Sequence, residues 1–237
     1  KLGMRVRRDW APVGAARLVE LVEAGHYDNC AFFRVIRNFM AQFGISGNTT
    51  RQAAWRRRAI ADEVATKGSN VRGAVTFAHA GPNTRSTQLF INVVDNRRLD
   101  RENFPPVAEI VEGMDVVDAL AVTGEGGPAG PGPSQGMIQR RGDEYLLQQF
   151  PWLTRIATAR LRKPPPPRAE KEEEEGAPPA PRQKTTSTSG FVIFVGVAGT
   201  LGIILAWIHR SKQGPSVAVL DVDASLPPTP ITLDKEN

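Results

Sequence analysis

Apolar positions fall into three rhythms along the chain. At the start Leu2, Met4 and Val6 alternate with Gly3, Arg5 and Arg7, a period of two that predicts a strand. "DWAP" then supplies a helix start at Asp9, and Ala15, Leu18, Leu21 and Val22 recur at helical spacing from about Pro12 to Ala24, with Gly25 as the stop. From Cys30 to Phe43 and from Ala74 to Val94 the pattern becomes short apolar, β-rich runs separated by turn residues such as "AGPNT" at Ala80 to Thr84. The middle of the chain therefore reads as sheet. "EGMDVVDAL", Glu112 to Leu120, predicts a second short helix from Met114, Val117 and Leu120, and "GEGGPAGPGPSQG" after it reads as loop. "DEYLLQQFPWLTRIATARL" reads as a helical stretch interrupted at Pro151, with order ending near Leu161.

The third rhythm is an unbroken apolar run. Gly190 to Ile208, "GFVIFVGVAGTLGIILAWI", holds no charge and would be about 28 Å long as a helix, close to the hydrocarbon thickness of a bilayer. It is expected to be a single membrane-spanning helix. The Pro- and Glu-rich stretch before it has almost no residue able to join a core and reads as a linker, in which Pro164 to Ser189 would reach roughly 80 Å fully extended. The expected organisation is a folded domain over 1–161, a linker over 162–189, the span over 190–208 and a polar tail over 209–237. His209, Arg210 and Lys212 crowd the far end of the span, which leans towards a cytosolic, stromal or matrix tail, with the organelle left open between the secretory pathway and an endosymbiotic membrane. Ala198, Gly202 and Ala206 form a small-residue stripe that admits another transmembrane helix.

Composition narrows the classes. A chain of 237 residues with 41% hydrophobic content buries one sizeable core and leaves residues over for an appendage. The net charge of +5 is too small to mark a nucleic-acid protein, and "RQAAWRRR", Arg51 to Arg58, reads as a solvated basic loop. Cys30, the lone cysteine, reads as a small buried hydrophobe, and His26, His79 and His209 show no metal-ligand spacing. "NTT" at Asn48 fits a glycosylation acceptor only if the domain is luminal, and "GEGGPAG" lacks the lysine of a phosphate loop. The first residue is Lys1 with no signal sequence behind it, so the chain is expected to be processed or truncated.

Candidate chemistry centres on "FFRVIRNFMAQFG", Phe32 to Gly44. Arg34 stays protonated at any physiological pH, so its use is as a fixed donor rather than an acid, base or nucleophile. Phe39, Met40 and Gln42 beside it suggest a charged donor at the rim of an apolar pocket with an amide nearby. The residues alone leave two readings open, since Arg34 in a salt bridge with a carboxylate such as Glu63, and Phe39, Met40 and Phe90 as plain core, would look the same.

Together with "FAHAGPNTRSTQLFINV" about forty residues on, and "EGMDVVDAL" after it, this motif resembles the cyclophilins, the peptidyl-prolyl cis/trans isomerases, over roughly Met4 to Thr123. The resemblance implies a mainly β fold, a closed antiparallel eight-stranded barrel capped by two helices, here followed by the one C-terminal transmembrane helix. It implies a hairpin ahead of the first helix, of which only "KLGMRVRR" is present, so that a barrel edge would be left unpaired and residues ahead of Lys1 would be missing. It gives Arg34 and Gln42 the catalytic role and Phe39, Met40, Ala78, His79, Gln88, Phe90, Leu99 and Phe104 the substrate-binding one. The implied partners are proline-containing polypeptides, and no metal, cofactor or covalent intermediate is implied.

Several positions depart from the family pattern. Arg98 precedes Leu99 where a tryptophan is common, His79 replaces an asparagine, and Phe33 and Phe104 stand at histidine positions. The leading expectation is a membrane-tethered isomerase. The rival is a catalytically weak binding module or accessory subunit of a membrane complex. The four prolines Pro164 to Pro167 are a further expectation, as a tethered occupant of the domain's own pocket.

Overall fold

The opening alternation is realised as strand β1 (Leu2–Val6), in which only Arg5 is exposed. The structure, a computed structural model, describes residues 1–65 and 67–162 together with the backbone of 217–223. Helix α1 (Pro12–Glu23) follows and buries Ala15, Leu18, Leu21 and Val22, as their spacing predicts. Its start differs from the expectation at Asp9. The N-cap is Ala11, which has no capping side chain, and the open N–H groups of Val13 and Gly14 instead donate to the Glu63 carboxylate at 2.8 and 2.7 Å. Asp9 pairs with Arg7.

Strands β2 (Arg34–Ile36), β3 (Met40–Phe43), β4 (Ala74–Phe77), β5 (Leu89–Asn92) and β6 (Pro106–Glu112) build the expected central sheet. Between β3 and β4 lies helix α2 (Thr49–Arg56), where the basic "RQAAWRRR" was expected to be loop. Asn48 is its N-cap and accepts from Arg51 N at 2.9 Å. After helix α3 (Met114–Asp118) comes helix α4 (Gln135–Gln149), two helical pieces broken at Gly142, whose φ of 53° is left-handed. The expected pair of capping helices is thus four α-helices among the described residues. The segment after Pro151, expected as helix, is strand β7 (Arg155–Arg162).

The last strand, β8 (Val217–Asp223), comes from the stretch expected as a polar tail. It runs antiparallel between β1, pairing Leu2 with Leu220 and Arg5 with Val217, and β7, pairing Arg162 with Val217 and Arg155 with Asp223. The edge of β1 expected to be unpaired is therefore covered. The sheet order is β2-β3-β5-β4-β6-β1-β8-β7. It is not closed into a barrel by a continuous strand ladder. Its two ends meet at a bridge between Ala31 and Arg155, where Asn29 N donates to Ile156 O at 2.7 Å, Ile156 N to Cys30 O at 2.9 Å and Phe32 N to Thr154 O at 3.0 Å.

Alternation across β2, β3 and β5 separates two apolar clusters. Val35, Ala41, Phe43, Leu89 and Ile91 face the main core with α1, and Cys30 lies in it fully buried, as expected. Met40 and Phe90 face the other way and join Leu99 in a second, smaller cluster. That second face carries the site. Among the described residues no helix is long and apolar enough to cross a membrane, and Gly190 to Ile208 and Pro164 to Pro167 lie outside the described residues.

Candidate active site

The outward face of β2, β3 and β5 forms one wall of a groove of about 790 Å³. Arg34 on β2 sits directly opposite Gln42 on β3, and Gln42 opposite Phe90 on β5, so strand register alone brings the three side by side. Arg34 Nη1 donates to Gln42 Oε1 at 3.0 Å, and Gln42 Nε2 donates to Gln88 Oε1 at 2.8 Å. The three side chains form a polar rail along an apolar floor. Met40, Phe90 and Leu99 make that floor, each nearly fully buried, and Phe39, Ala78 and Phe104 pack against them.

The opposite wall comes from loops. Leu99 rides on a 3-10 turn, Arg97–Arg101, which is pinned by fully buried Asn70: its Nδ2 donates to Asp100 Oδ1 and to Phe104 O, both at 2.8 Å. One amide thus fixes two of the apolar residues. His79 stacks on Phe104 with ring centroids 4.0 Å apart, and Phe104 meets Phe90 edge-on at 5.9 Å. Gly81 N donates to His79 Nδ1 at 3.3 Å, which puts the ring proton of the neutral form on Nε2. Ala78 N is held by Gln88 O at 3.0 Å.

All ten residues named from the sequence line this one groove: Arg34, Phe39, Met40, Gln42, Ala78, His79, Gln88, Phe90, Leu99 and Phe104. Arg98 lies at its rim, its guanidinium 5.2 Å from the Phe39 ring and paired with Glu102 at 3.3 Å. The sequence reading also missed rim residues Arg56, Gln135 and Gln139, contributed by α2 and α4. The largest omission is Glu125. Its carboxylate takes Arg34 Nε at 2.8 Å and Nη2 at 2.5 Å, and the Arg34 side chain keeps 22% of its surface exposed. Arg34 is thus ion-paired, with Glu125 rather than Glu63, and still faces the groove. The hydrogen bonds from Arg34 hold the Glu125 carboxyl below the usual carboxylate range, so it is ionised at neutral pH.

An open antiparallel sheet with an arginine, an amide rail and an apolar floor on one face defines a groove suited to holding a small apolar ring beside a fixed cationic donor. The family model of the cyclophilin-type peptidyl-prolyl cis-trans isomerases matches residues 1–139. The chain belongs to this family. Peptidyl-prolyl cis-trans isomerase B of Escherichia coli is 33% identical over 140 residues, covering 55% of this chain and 85% of that protein. Peptidyl-prolyl cis-trans isomerase-like 2 of Neurospora crassa is 33% identical over 116 residues, which is 48% of this chain but only 19% of the relative's length. Among solved structures, a cyclophilin from Hirschia baltica aligns with a TM-score of 0.44 at 20% identity, covering 54% of this chain and 66% of that one.

Proposed function

We propose that this domain catalyses cis/trans isomerisation of X-Pro bonds in proline-containing polypeptides. The supporting observation is Arg34 presented beside an apolar floor by the Gln42 and Gln88 rail. An X-Pro bond is planar because the nitrogen lone pair is delocalised, and rotation faces a barrier of about 18–20 kcal/mol. As the bond twists, that lone pair localises and becomes a better hydrogen-bond acceptor. A guanidinium aimed at the nitrogen therefore stabilises the twisted state more than either planar isomer. Met40, Phe90, Leu99 and Phe104 hold the proline ring. Phe39 flanks it, and Gln88, Ala78 and the backbone carbonyl of His79 engage the peptide backbone.

The test is exchange of a proline tetrapeptide by the full chain. Catalysis above background is expected, and Arg34→Ala is expected to lower kcat/KM by about 10²–10³-fold. Equal, uncatalysed rates in both would leave a binding module without turnover. We further propose that the chain attaches to a membrane through Gly190 to Ile208, on the strength of nineteen residues without a charge. Full-length chain is expected to resist alkaline extraction from membranes, and release would remove the idea.

A further inference from the structure

Glu125 reaches Arg34 by an anchored route. The loop from α3 to α4 is laced to β2 on either side of the arginine. Thr123 N and Gly124 N both donate to Val35 O at 3.1 Å, Val35 N donates to Thr123 Oγ1 at 2.8 Å, and Thr123 Oγ1 donates to Phe33 O at 3.3 Å. Behind the carboxylate, Gly132 N donates to Glu125 O at 2.7 Å. A Cβ on Gly130 would run into that same carbonyl oxygen, so the loop closes this tightly only on glycine. Backbone bonds on both flanks deliver Glu125 to its place.

The way it grips the guanidinium leaves one N–H available for work. Arginine has five N–H bonds in a fixed plane. Glu125 takes the side edge, Nε–H and one N–H of Nη2, in a bidentate fork. Gln42 takes one N–H of Nη1, and the other faces only the weakly accepting sulfur of Met40 at 3.7 Å. That leaves the second N–H of Nη2 as the donor with no acceptor among the described residues, and it is what a substrate meets. We propose that Glu125 is the positioning residue for Arg34: it fixes the guanidinium plane so that the uncommitted N–H of Nη2 already points at the proline nitrogen. The inference rests on the isomerase reading above. Without Glu125 only Gln42 still holds the guanidinium, and a partial loss of aim, short of the roughly 1 Å misplacement that costs about 10²-fold, is enough to lower the rate about tenfold.

The experiment follows proline tetrapeptide exchange by full-length wild type, Glu125→Ala, Glu125→Asp and Arg34→Ala, alongside NMR of the Arg34 Nε–Hε group. Glu125→Ala is expected to lower kcat about tenfold with KM within about twofold, and Glu125→Asp to restore part of the loss. The Arg34 Nε–Hε signal, held by the fork in wild type, is expected to collapse towards the free-arginine position in Glu125→Ala. Because Thr123 and Gly124 anchor the loop through groups other than the Glu125 side chain, the fold is expected to survive. If Glu125→Ala unfolds, Glu125→Gln replaces it. Unchanged or raised kcat overturns the inference, since a raised value would mean that the carboxylate blocks rather than aims. If wild type and Arg34→Ala are equally inactive, the isomerase reading falls, and the NMR signal decides alone: an Arg34 resonance indifferent to Glu125→Ala overturns positioning, and a collapsed one retains it.

Discussion

His26 is fully buried and half satisfied: Nε2 lies 3.2 Å from Gly44 O, while Nδ1 has no partner among the described residues. Burial disfavours its charged form and pulls its pKa down to about 4. In the unfolded chain the ring titrates near 6.5. Between those values the unfolded state binds a proton that the folded state refuses. Stability is therefore complete above about pH 6.5 and is lost as pH falls towards 4, by roughly 3 kcal/mol in all. Urea midpoints measured at successive pH values are expected to show this slope in wild type and a shallower one in His26→Gln. Single residues of the groove were legible in the sequence wherever strand alternation sets their face, as for Arg34, Met40, Gln42 and Phe90. Glu125 was not, since a carboxylate in a glycine and proline loop, 91 positions from its partner, belongs to no periodicity.

At the scale of elements, α1 depends on a residue far from its own sequence. Glu63 accepts from the first N–H groups of the helix and also neutralises Arg85, which is 1% exposed, at 3.0 Å. Without Glu63 the buried Arg85 charge keeps only Asp62, 3.8 Å away, as an acidic partner and α1 loses two N–H acceptors, so Glu63→Ala is expected to cost about 3 kcal/mol. Chemical denaturation against wild type checks it, and a loss under about 1 kcal/mol, the value of an exposed pair, would contradict it. The elements misread from sequence have comparable long-range causes. In β7 the buried residues Ile156 and Ala159 stand three apart, which imitates a helix, because a bulge between Ile156 and Thr158 breaks the alternation. In α2 only Gln52 is buried, so no apolar stripe announces a helix that its Asn48 cap defines.

For the whole molecule, the described residues belong to one compact unit in which the first strand and the last are neighbours. Helix α1 and the sheet were legible because their apolar periods are strong. The place of β8 was not, since "VAVLDVD" is β-rich by composition but its pairing with β1 and β7, across the intervening chain, is chosen by vacant backbone groups. Hydrogen bonds from Val217–Asp223 to both neighbours oblige the two ends of the intervening chain to share a compartment. Any bilayer entered between them must then be crossed an even number of times, so the attachment proposed through Gly190 to Ile208 is compatible with a seated β8 only where that segment does not make a single crossing. In sealed vesicles, external protease is accordingly expected to reach epitopes on the domain and on the C-terminus together or to spare both. Digestion of one alone would mean that β8 is unseated whenever the chain is anchored, and that anchoring bares a backbone edge for a guest strand.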